Sequence, residues 1–405
     1  MARECMMQSS ARKHCLYTPS RGVIKVMPVS LVIRGGTVVD PASGVHKPAS
    51  VLIEDGRSAG ICELGAEPAA AQTIDASGCI VTPGLIDTHL HMFYGGTENG
   101  ILPDVTLLPM GVTAGIDQGS AGAGNFQAFY DSIISRSRVH VFAALNISTQ
   151  GLITSRYPEN LDPEFTALPD IERLFERYSG VLCGIKVRIS KELIGELGLA
   201  PLQNAIAAAE KVGTRISVHT TNPPVPVPQF IGMFRKGDIY SHAFQGRGFS
   251  ILNGRGRICE EVHDARKRGV LFDTADARVH YLYAVIKEAL AENFLPDTIS
   301  TDLVQGSLFQ SGVFGLPRVM SKYLELGVPL VDVIRAVTAA PAKVINRPDL
   351  GTLSAGATAD VAIFRLTPCK TQIVDREKDA LTLRSILVPQ CTILNGKVVF
   401  RQFDF

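Results

Sequence analysis

The chain has 405 residues, 46% of them hydrophobic, enough material for a large buried core, with one large α/β barrel plus an accessory piece as one way to divide it. Forty basic residues against 39 acidic ones leave a formal charge of +1, so the electrostatic footprint of a nucleic-acid or membrane-surface binder is missing and a small-molecule partner is expected. Eight cysteines are scattered without a Cys-x-x-Cys pair, so neither a cysteine zinc site nor a disulfide framework is suggested and a reducing cytoplasm is the expected compartment.

In chain order, residues 1–28 are basic and lack the apolar centre of a secretion signal; they are expected to form a disordered leader. Strand patterning starts near Val29. Short β-rich runs at Leu31, Ser50 and Gln72 are broken by Gly and Asp turns, and a second set closes the chain from Asp360 to Phe400, with Asn395-Gly396 as a tight hairpin turn. Residues 29–82 and 350–405 are therefore expected to pair as one small β-sandwich domain.

Between them, apolar segments alternate with helical patterns, the order of a parallel sheet with crossover helices. The predicted strands are Leu85–Met92, Thr113–Gln118, Val139–Ile147, Gly184–Ile189, Arg215–Thr220, Asp238–Phe244, Val270–Thr274 and Thr298–Leu303. Helices are predicted over Pro201–Val212 and Tyr281–Ala291. Eight such units over residues 83–349 make a (β/α)8 TIM-type barrel, whose active site lies at the carboxyl ends of the strands. No run of ~20 apolar residues offers a membrane span.

The most informative segment is Val81-Thr-Pro-Gly-Leu-Ile-Asp-Thr-His89-Leu-His91-Met92. Side chains at i and i+2 leave a strand on one face, so both imidazoles can reach one cation. On the barrel drawing, His89 and His91 end strand 1, Lys186 lies in strand 4, His219 ends strand 5, His242 ends strand 6 and Asp302 ends strand 8, all at one mouth. A lysine inside Gly184-Ile-Lys-Val-Arg-Ile is costly to bury as an ammonium and would repel metal ions. Reaction of its neutral amine with carbon dioxide gives an anionic carbamate that can bridge two cations. Asp302 can both bind a metal and carry a proton.

These residues resemble the amidohydrolase superfamily, in the branch of dihydroorotase-like and deacetylase-like binuclear enzymes. The stretches Gly95-Gly96-Thr97, Gly119 to Phe126, Gly184 to Ser190, Pro296 to Leu303 and Val333 to Pro341 resemble the deacetylase-like subgroup in particular. The resemblance implies that His89, His91 and Asp302 hold a buried ion, His219 and His242 a more exposed one, and carbamylated Lys186 bridges them. It implies two divalent ions, zinc first with manganese or iron as alternatives, and a hydroxide that attacks an amide or ester carbonyl. The expected reaction is cleavage of an N-acyl or O-acyl group from a small carboxylate. A cyclic amidase of the dihydroorotase or hydantoinase type is the alternative, and a catalytically silent barrel acting as a scaffold is the non-enzyme one. A homo-oligomer is compatible with any of these.

Three positions depart from the subgroup. Where a Gly-His-Gly turn is expected after strand 7, the chain reads Phe272-Asp-Thr-Ala-Asp276-Ala-Arg278-Val-His280; Ala243 follows His242 where Cys is usual, and Val304 stands where His is usual. All lie at the mouth, where loops set substrate choice. Arg188, Tyr94, Asn222 and Asp276 are the candidate substrate contacts.

Overall fold

The computed structural model describes residues 29–310 and 313–405; the expected leader lies outside them. Strands β1 (Val29–Asp40), β2 (Val45–Glu54), β3 (Arg57–Cys62), β4 (Ala70–Asp75) and β5 (Ile80–Pro83) come first. The barrel strands follow: β6 (Leu85–Leu90), β7 (Val112–Gly122), β8 (His140–Asn146), β9 (Leu182–Arg188), β10 (Ile216–His219), β11 (Ile239–Ser241) and β12 (Leu271–Asp273). β13 (Val361–Val374), β14 (Ala380–Leu394) and β15 (Lys397–Arg401) complete the chain.

Both chain ends share one hydrogen-bonded sheet, in the order β15-β14-β13-β5-β1-β2-β3, with β4 pairing β1. β1 runs parallel to β4 through Val29–Arg34 and to β5 through Thr37–Val38, with a register break at Gly36 between them. That break lets the sheet fold about its own core, in which Leu31, Val51, Ile74, Val81, Val361 and Ile393 pack together. Asn395 (φ 50°) and Gly396 (φ 76°) form the tight turn joining β14 to β15, the left-handed pair that a two-residue hairpin requires.

β6 to β12 pair in sequence order as a parallel sheet of seven strands. Their residues are buried almost without interruption, as expected of strands covered on both faces. The eighth predicted strand is not a ladder. Thr298–Leu303 closes the ring through two parallel bridges, Asp273 with Thr298 and Leu90 with Leu303. The reason is Asp302, which takes φ 51° and turns the chain inward while its amide donates to the His89 carbonyl at 2.7 Å. Likewise β11 stops at Ser241, short of the predicted Phe244, because His242 adopts φ 62°. Helices occupy Ala200–Lys211 and Tyr283–Ala291, close to their predicted spans.

Cys62, Cys79, Cys183, Cys259, Cys369 and Cys391 are unpaired. Among the described residues no helix is long and apolar enough to cross a membrane.

Candidate metal centre

The carboxyl ends of the barrel strands bring together the six residues singled out by the sequence. His89 Nε2 lies 3.2 Å from Lys186 Nζ and 3.7 Å from Asp302 Oδ1, and His91 Nε2 lies 3.3 Å from the same carboxylate oxygen. The ring of His242 sits 5.0 Å from that of His89 and 4.3 Å from that of His219, centroid to centroid. Ligand atoms of His89, His242 and Asp302 all fall within 4.8 Å of one another, so one cation could touch all three.

The surroundings fix the imidazole orientations. His242 Nδ1–H donates to the Ala275 carbonyl at 2.7 Å, which leaves Nε2 as a lone-pair donor. That Nε2 is buried without a hydrogen-bond partner among the described residues. A buried acceptor left unpaired is costly, and a cation satisfies it. Ser120 Oγ bonds His91 Nδ1 at 3.0 Å, and Asp273 Oδ2 lies 3.3 Å from His89 Nδ1, an ion-pair distance without hydrogen-bond alignment; both rings turn Nε2 toward Asp302. Asp273 itself accepts from Thr88, Thr298 and Ser300 hydroxyls, and burial pushes its carboxyl up to about 6.

Burial lowers His89, His219 and His242 well below the ordinary imidazole value, which keeps them neutral and able to ligate. It also lowers Lys186 to about 8, at which roughly a tenth of the amine is in the reactive neutral form at pH 7. Gly119, at φ 81°, makes room for this lysine: a Cβ there would stand 2.8 Å from Lys186 Cβ and Cγ.

Above the cluster is a cavity of about 210 Å³. Arg188 lines it, with Nε 2.8 Å from Oε2 of the buried Glu159, which Asn146 also holds. The other three candidate contacts are placed elsewhere. Asp276 is a correction: it is fully buried away from the cavity, with Lys322 Nζ at 2.6 Å and the Tyr323 hydroxyl at 3.1 Å. Asn222 turns its amide to Glu192 at 2.7 Å, and Tyr94 is half exposed outside the lining.

One residue that the sequence reading passed over belongs here. His280 lines the cavity with Nε2 3.7 Å from Asp302 Oδ2 and its ring 4.2 Å from that of His242, while Nδ1 meets Thr221 Oγ1 at 2.9 Å. Its place beyond strand 7, in the segment that departs from the subgroup, was the available signal. Asp273 was missed too, although an acid at the end of a barrel strand is the type of residue that orients a ligating histidine.

A parallel barrel with clustered imidazoles and a carboxylate at the carboxyl ends of its strands defines a metal-dependent hydrolase of the TIM-barrel class. Residues 195–399 match the model of the amidohydrolase family. A deacetylase of Agrobacterium fabrum is 30% identical over 346 residues, covering 85% of each chain. A crystal structure of an adenine deaminase superposes with a TM-score of 0.85 at 26% identity, covering 92% of this chain and all of that one. A crystal structure of a dihydroorotase gives a TM-score of 0.83 at 29% identity, covering 92% and 98%. The chain belongs to the amidohydrolase family.

Proposed function

We propose that this protein uses two divalent cations to hydrolyse the amide or ester bond of a small N-acyl or O-acyl carboxylate, acting in the cytoplasm. His89, His91 and Asp302 would hold one ion, His219 and His242 the other, with Lys186 as a bridging carbamate. Zinc suits the imidazole-rich donor set, with manganese or iron as alternatives. When bound, such ions supply a water-derived nucleophile at neutral pH and a Lewis acid for the substrate carbonyl.

The protein's own groups do the remaining work. Asp302, on a strained turn at the barrel mouth, accepts the proton of the attacking water and delivers it to the leaving nitrogen or oxygen. Ser120 holds His91 in register, Asp273 faces His89 Nδ1 at 3.3 Å, and Arg188 and His280 wall the space for the substrate. The observation that supports cation binding here is the unpartnered Nε2 of His242, buried among His89, His219 and Asp302; the division of these ligands between two ions follows the family resemblance. A cavity of about 210 Å³ lies below the ~300 Å³ lower bound typical of drug-sized ligand sites, which suits a small acyl acid. The deacetylase relative supports acyl cleavage.

A cyclic amidase is the second reading, supported by the 29% identical dihydroorotase structure. Turnover of metal-loaded protein on N-acetyl and O-acetyl acids, beside dihydroorotate and hydantoins, separates the two. Hydrolysis of the cyclic amides alone overturns the acyl reading.

A further inference from the structure

The segment after β12 departs most from the subgroup, and its backbone shows how. Ala275 (φ 41°) and Ala277 (φ 44°) both occupy the left-handed region, where glycine is at ease and alanine is not. They flank Asp276 within the stretch where a Gly-His-Gly turn was expected, so the loop takes a glycine-type path with alanines. The strain is held from several sides. Asp276 is clamped by Lys322 and Tyr323, the Ala277 amide donates to the Thr301 carbonyl at 2.9 Å, and the Ala275 carbonyl accepts from His242.

Strained backbone persists where the surrounding structure over-determines it, and such positions cluster at sites that bind or switch. Here the path delivers Ala277, Arg278, Val279 and His280 into the cavity wall. Of the cations there, Arg188 is matched by the buried carboxylate of Glu159. Arg278 is not matched: among the described residues no carboxylate pairs with it, and its one polar contact is the neutral Gln310 amide at 3.4 Å. The cavity also holds the carboxylate of Asp302, 3.7 Å from His280 Nε2, which repels an anion. The unmatched guanidinium is therefore the favourable partner for a substrate carboxylate, with the scissile carbonyl toward the histidine cluster.

We infer that Arg278 is a specificity-determining residue that binds the carboxylate of the substrate, and that the clamped Ala275–Ala277 turn exists to hold it at the mouth. This rests on the acyl-carboxylate reading above. The guanidinium offers paired donors that match a carboxylate, a geometry that lysine cannot reproduce.

The test uses the metal-loaded full chain with N-acetylalanine, O-acetyl-lactate and their carboxamides, in wild type, Arg278→Gln and Arg278→Lys. For the acids, Arg278→Gln is expected to raise KM about 10- to 100-fold with kcat within a few-fold, and Arg278→Lys to recover part of the loss. The carboxamides should be poorer wild-type substrates and indifferent to the substitution. Equal losses on acids and carboxamides, or none on either, overturn the assignment. Calorimetric titration of the acids and carboxamides onto the same proteins separates this inference from the reading beneath it. Arg278-dependent binding of the acids without turnover sustains the carboxylate site and sinks the acyl-cleavage reading; turnover with Arg278-independent binding does the reverse.

Discussion

The carboxylate of Asp273 stands 3.3 Å behind Nδ1 of His89, on the side of the ring away from Asp302 and Lys186. A carboxylate in that position orients a ligating imidazole and raises its basicity, and loss of such a partner typically costs 10- to 100-fold in metal affinity or activity. Asp273→Asn is therefore expected to lower zinc affinity by about that factor, measured by competition with a chromophoric chelator. Unchanged affinity would show that His89 is held by packing alone.

Lys186→Ala removes the proposed bridge. Turnover is expected to fall to background and metal content, by elemental analysis, to drop below two ions per chain. A variant retaining two ions and full turnover would refute the bridging role. In the wild type, chelation should abolish hydrolysis and added zinc restore it, whereas a silent scaffold would show no hydrolysis to lose.

Lys322 and Asp276 form an ion pair whose side chains are both fully buried, with the ammonium 3.5 Å from the Tyr281 ring centroid. Removing one partner strands a charge out of water. Lys322→Met should therefore destabilise the fold by about 3–5 kcal/mol, read from urea unfolding. Adding Asp276→Leu should recover much of that loss, because two apolar side chains leave no uncompensated charge. A mild Lys322→Met phenotype would remove the clamp from the account of the loop.

Ala277→Gly relieves a left-handed alanine, worth about 1–2 kcal/mol, against the ~0.5–1 kcal/mol entropic cost of glycine. Net stabilisation of between about 0 and about 1.5 kcal/mol is expected, together with weaker binding of the anionic substrate as Arg278 is released. Destabilisation would mean that the methyl group packs favourably enough to offset its backbone.

Much of the architecture was legible because barrel strands buried on both faces must be written in short apolar runs, and crossover helices must separate them. His89 and His91 could be read from spacing alone, since two residues apart on a strand means one face. The end of β11 and the eighth segment were less legible, because His242 and Asp302 take a left-handed backbone that tertiary contacts impose and local propensity does not announce. Asp276 was misplaced for a related reason: an acid between alanines in a loop reads as a mouth residue, and its partner Lys322 lies in the distant helix Leu316–Glu325. Asn222 and Tyr94 follow ligand-bearing strands in the sequence, yet a bond to Glu192 and an outward turn carry them from the cavity.

The ring of strands is joined between its first and last members by little more than the bridge from Leu90 to Leu303 and the hydrogen bonds beside it. His89 and His91 stand on one lip of this seam and Asp302 on the other. A cation gripped by all three would act as a clasp, fastening the cylinder where its lacing is thinnest. Occupancy of the site and integrity of the barrel wall would then rise and fall together.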